Sequence, residues 1–89
     1  MIAEESIKKD ILEYFESHLG IIDVREDEML LIYSIDDLDL VELELHLEEK
    51  HGIYPKNSDG ADINDNNTLA EIIRLLYFYL NENYETNNN

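Results

Sequence analysis

Apolar residues along this chain fall into three helical stripes separated by polar, turn-rich segments. Ile7, Ile11, Phe15 and Leu19 recur every four residues, and Leu12 and Tyr14 widen the stripe, so residues 4–19 are expected to form an amphipathic helix ending at Gly20. A second helix is expected over 37–50. Leu40, Leu43 and Leu47 share one face and Leu38, Val41 and Leu45 a neighbouring one, and Gly52 and Pro55 close it. Asp36 is its expected N-cap, with Asp39 three residues on in a capping-box arrangement. A third helix is expected over 69–81, with Leu69, Ile72, Ile73, Leu76 and Leu80 as its stripe and Thr68 and Glu71 at capping-box spacing.

The segments between are less regular. The long connection 21–35 contains a continuous apolar run, Met29 to Tyr33, for which periodicity does not separate a buried strand from a buried loop. A single strand would lack a partner here, so the run is read as a loop with a helical turn, tucked over the core. Residues 55–67 are turn-rich, with a short helical turn expected around Asp59–Ile63. Residues 81–89 read as a polar, fraying tail, which leaves one domain over 1–80. The fold class is therefore all-α: three main helices plus a short helix in the third segment.

Composition narrows the function classes. Twenty-two acids against six lysines and arginines give a formal charge of −16, with the acids concentrated on the second helix. Such a surface repels nucleic acid and anionic lipid and speeds encounter with basic protein patches. No cysteine is present, so disulfides and thiolate chemistry are excluded. Met1 to Lys9 has no apolar run suited to a signal peptide or a membrane span, and a cytoplasmic monomer is expected. His18, His46 and His51 are not at metal-ligand spacing, and no metal is assigned. Asn57-Ser58-Asp59-Gly60 matches part of a calcium loop, but Pro55 and Asn66 occupy the first and twelfth ligand positions, so the motif fails; weak calcium binding by the acidic helix stays open. The carboxylates crowd an exposed helix rather than a cleft, no nucleophile–base pair is suggested, and no enzymatic activity is expected.

Ser34 to Leu43, followed by Glu48 to Ile53, resembles the Asp-Ser-Leu segment that opens the acidic helix of acyl carrier proteins. Asp36 and Leu38 match the motif's aspartate and leucine. Asp39, Val41, Glu42, Leu43, Leu47, Glu48, Glu49, Gly52 and Ile53 fall where the family commonly places similar residues, as do Pro55 and Thr68-Leu69. The resemblance spans roughly residues 4–80 and is best over 36–53. It implies an acyl-carrier-like helical bundle and a module of fatty-acid, polyketide or related acyl metabolism. It also implies basic-surfaced partner enzymes, among them a phosphopantetheinyl transferase. In the family a serine just inside the helix N-terminus carries 4'-phosphopantetheine, its phosphate near the helix's free N–H groups. Here that position is Asp37, and the arm is expected to be absent. Glu44, His46, His51 and Tyr33-Ser34 also depart from the family pattern.

Asp37 leaves three readings: a loss in a non-carrying homologue, an introduced replacement of the serine, or a shifted register in which Ser34 is the attachment site and the chain a working thioester carrier. The shift would turn the serine by about 60° on the helix and spoil the distance to Gly52, which Asp37 fits. On the first two readings, Asp37 keeps the single negative charge of a loaded serine without its arm. The resemblance assigns partner docking to Asp36, Leu38, Asp39, Glu42, Leu45, Glu48 and Glu49. Against it stand a merely solvated acidic face and, for the leucines, core burial. An acidic decoy or regulator of a basic protein surface is the remaining function class.

Overall fold

The computed structural model describes residues 1–54 and 60–87. Among them three α-helices form a small all-α bundle: α1 over Glu4–Tyr14, α2 over Asp37–Lys50 and α3 over Leu69–Asn87. The only strand-like feature among these residues is an isolated antiparallel bridge between Met29 and Thr68. None of these helices is long and apolar enough to cross a membrane.

The core is built from the expected stripes. Ile7, Ile11, Phe15, Leu40, Leu43, Leu47, Leu69, Ile72, Leu76 and Leu80 are all fully buried, with Leu30 and Ile35 from the long connection. Each such side chain contributes roughly 1.5–3 kcal/mol by leaving water. α1 continues as a single π turn over Phe15–Leu19. Gly20 then closes it in the left-handed region, and the N–H groups of Gly20 and Ile21 bond the carbonyls of Glu16 and Phe15. Each of these bonds spans one residue more than its counterpart in an α-helical stop, as a wider final turn requires.

α2 opens on the expected capping box. Asp36 Oδ1 accepts the Asp39 N–H at 2.9 Å, and Asp39 Oδ2 accepts the Asp36 N–H at 3.1 Å. It stops in a Schellman motif, with Ile53 N–H bonded to Glu48 O, Gly52 N–H to Glu49 O, and Gly52 at φ 67°. Ile53 is buried beneath that turn. α3 opens on its own box, in which Thr68 Oγ1 accepts the Glu71 N–H and Glu71 Oε1 accepts the Thr68 N–H.

The connection from α1 to α2 is a loop with a helical turn: Leu30–Tyr33 is one turn of 3-10 helix. Only part of its apolar run enters the core. Leu30 is buried and Tyr33 half-buried, while Met29, Leu31 and Ile32 are exposed. The backbone carries the rest of its order. Leu30 and Leu31 N–H groups bond the carbonyls of Asn67 and Asp65, and Leu69 and Ala70 N–H groups bond those of Glu28 and Glu26. The connection thus supplies acceptors for N–H groups in the first turn of α3 that have none within the helix. In the third segment Gly60 and Ala61 form a turn and residues 62–64 are irregular, so no helix follows there; Asp59 and the calcium-like loop at 57–59 lie outside the described residues.

The third helix corrects the expected boundary at 81. It runs to Asn87, so residues 81–87 are helix rather than fraying tail, and residues 88–89 lie outside the described residues. Asn81 explains the difference. It is buried, its Oδ1 accepts the Ile2 N–H at 2.6 Å, and its Nδ2 donates to Ile2 O and to Tyr77 O at 2.9 Å each. A polar residue that reads as tail in the sequence instead fastens the chain's start to α3, and Tyr84 packs partly against the core beyond it. Replacing Asn81 by Ala leaves both buried backbone groups of Ile2 unpaired. It is expected to lower stability by about 1–3 kcal/mol in urea unfolding, with faster amide exchange at Ile2.

Candidate docking face on the second helix

α2 turns two kinds of face outward from its buried leucine row. Leu38, Val41 and Leu45 are 66%, 53% and 57% exposed, and they line one side of the helix at spacings of three and four. Neither leucine is core. The three form an exposed apolar strip along an otherwise acidic helix. Glu42 and Glu49 are exposed and, by helical position, flank this row on the side of α1. No hydrogen bond or ion pair engages either side chain among the described residues.

The remaining expected docking residues divide. Asp36 and Asp39 lie at the helix start but spend one carboxylate oxygen each on the capping box. Glu48 does not belong to the face. It is buried, and its Oε2 accepts the Tyr79 hydroxyl at 2.6 Å, tying α2 to α3. Burial first, and the Glu48 carboxylate second, push the Tyr79 phenol far above its ordinary range. Val41, Leu31 and Ile32 join the exposed apolar set without having been assigned to docking. Val41 was already legible on the Leu38–Leu45 side of the wheel; the exposure of Leu31 and Ile32 was hidden inside a continuous apolar run.

Asp37 is exposed at the first helical position, and its Oδ1 accepts the Asp65 N–H at 2.8 Å. The same Asp65 gives its carbonyl to the Leu31 N–H at 3.0 Å. Asp65 therefore links the 3-10 turn, the approach to α3 and the start of α2. At this position the resemblance places a phosphopantetheine arm, and the residues do not suit it: a carboxylate offers no hydroxyl for attachment, and one of its oxygens is engaged. Ser34 is exposed three residues upstream, at the left-handed stop of the 3-10 turn with φ 61°.

The unusual residues of α2 have structural work. Glu44 Oε1 accepts the Ala61 N–H at 2.7 Å. Burial raises the Glu44 carboxyl above its ordinary value, the Ala61 bond opposes this, and Glu48 adds to it. Gly60 sits at φ 72°, a conformation that favours glycine, and a Cβ there would come within 2.7 Å of Glu44 Oε2, so the Glu44 carboxylate would have to shift. His51 and Lys50 both reach the buried Asp10 of α1, at 2.8 and 2.7 Å. His46 meets Tyr14 and His18 in a three-ring cluster, with centroid separations of 4.3 to 5.2 Å. The Tyr14–His18 step of four along α1 was a visible signal for half of that cluster. Among the described residues no group of three or more histidines and acids could hold a metal ion.

No protein-family model, curated protein or solved structure matches this chain.

Asp10 gives a pH test of the α1–α2 tie. Burial alone would raise its carboxyl, but the hydrogen bonds and charges of Lys50 and His51 outweigh burial and hold it below its ordinary 3.8. A depressed acid contributes stability above its unfolded-state value and loses it as pH falls through the folded-state value. The stability advantage of the native chain over Asp10→Asn is thus expected to be full at neutral pH. It should shrink from about pH 5 downward, as read by urea unfolding across a pH series.

Proposed function

We propose that the protein is an arm-free, acyl-carrier-like interaction module, a cytoplasmic monomer that docks basic-surfaced enzymes of fatty-acid, polyketide or related acyl metabolism through α2. The observation that carries this reading is the open apolar row Leu38, Val41 and Leu45, bordered by Glu42 and Glu49 with no side-chain partner among the described residues. An apolar strip supplies contact area, and free carboxylates beside it supply steering and register toward a basic surface. Recognition rather than catalysis is the proposed role.

The arm-free part of the proposal rests on Asp37. Its carboxylate preserves negative charge at the helix N-terminus, where the helix dipole favours it, and it bonds the Asp65 N–H. A residue fixed in this way serves the fold without any attached group.

Incubation with coenzyme A and a phosphopantetheinyl transferase, followed by intact-mass measurement, tests both parts. The native chain is expected to remain unmodified, and Asp37→Ser is expected to gain one arm at the new hydroxyl. The substitution should lower stability by only about 1 kcal/mol through the lost Asp65 bond, checked by thermal melting. An arm found on Ser34 of the native chain would overturn the arm-free reading. An Asp37→Ser variant that is folded yet never modified would show that the surface recognised by such enzymes is not present.

A further inference from the structure

Resting on the docking reading, we propose that the groove between α1 and α2 receives an arginine guanidinium from the docked partner. The groove is a shallow depression of about 270 Å³, open to solvent and lined by Tyr14, His18, Glu42, Leu45, His46 and Glu49. It adjoins the exposed row through Leu45, so a partner seated on that row passes over its mouth.

Three features give the groove its chemistry. The rings of Tyr14 and His18 are stacked at 4.3 Å and 17°, and His46 closes against both. Glu42 and Glu49 border this floor with carboxylates that no cation of the described residues pairs. Burial first, and then the charges of Glu42 and Asp39, push the Tyr14 phenol upward. The Tyr14 ring is buried and covered on one face by His18, so the ring surface open to a ligand is that of the exposed His18 and the half-buried His46. A flat cation lies against these by its face and bonds the carboxylates by its edge. An ammonium is a compact, strongly hydrated charge and gains less from stacking.

The same chain shows the combination already filled. At the α1–α3 side, the Arg74 guanidinium lies 4.9 Å from the Phe78 ring centroid and 5.9 Å from that of Tyr77. Its Nη1 bonds Glu4 Oε2 at 2.8 Å. Ring, carboxylate and guanidinium meet there within one molecule. In the α1–α2 groove the rings and the carboxylates are in place, and the cation is left to a partner.

The test titrates the full chain with Nα-acetyl-arginine methylamide and with its lysine and citrulline counterparts, reading the ring resonances of Tyr14, His18 and His46 by NMR. The arginine probe is expected to move all three rings and to bind about fivefold more tightly than either counterpart. The double variant Glu42→Gln/Glu49→Gln, whose sites are exposed and safe for folding, is expected to lose that preference with an unchanged circular dichroism spectrum. Equal responses to arginine and lysine, or silent rings, would overturn the proposal. A parallel titration uses an amphipathic helical peptide with lysines and arginines flanking a leucine row. If it moves the methyls of Leu38, Val41 and Leu45 while the arginine probe leaves the rings silent, the groove assignment fails and the docking reading stands. If those methyls do not respond to the peptide, the docking reading itself fails.

Discussion

Twenty-two acids fold here beside only six lysines and arginines, so carboxylates drawn toward the core must be matched by something other than cations. The chain does this by spending carboxylates as hydrogen-bond acceptors between elements. Asp36, Asp39 and Glu71 accept from backbone N–H groups at helix starts, Asp37 and Glu44 from the N–H groups of Asp65 and Ala61, and Glu48 from the Tyr79 hydroxyl. A charge-assisted bond of this kind is stronger than a neutral one and, unlike an exposed ion pair, does not depend on a flexible cation. Among the described residues Asp10 is the buried carboxylate that meets a lysine, Lys50, and it also bonds the His51 ring. The helices are thereby clamped to each other and to their connections by the same residue type that otherwise drives them apart.

This pairing scheme also sorts the surface. Acids on the sides of α2 that meet α3 and the third segment have partners within the chain; Glu42 and Glu49, on the side toward α1, have none among the described residues. The apolar row of Leu38, Val41 and Leu45 lies beside that unpaired pair. A solvated acidic face would be expected to alternate charge with short polar residues, not to expose three branched apolar side chains in register. The docking proposal follows from that contrast, and it needs no feature of α1 or α3 beyond the scaffold they provide.

The helices and their core leucines were legible because burial follows a period that the sequence displays directly. The capping boxes at Asp36–Asp39 and Thr68–Glu71 were legible because their geometry is local. What was not legible depends on contacts across long sequence separations. Asn81 reads as tail until Ile2 is seen beside it. Glu48 reads as one more acid of an acidic helix until Tyr79 covers it. The run from Met29 to Tyr33 reads as buried, yet its order comes from backbone bonds to residues 65 and 67, which leave most of its side chains outside.

Asp37 is the sharpest instance of the same limit. Within the sequence it is a missing hydroxyl, defined by what a resembling family has there. Within the fold it is an acceptor for Asp65, whose carbonyl in turn holds the 3-10 turn. These two descriptions have different consequences. A position that has merely lost a function drifts without effect on its surroundings, whereas a position bonded into a junction of three segments resists change. On the proposed reading, the absence of an arm is then no isolated defect at the helix start. It is joined to how α2 is anchored, and the charge that anchors it also leaves the acidic character of the docking end intact.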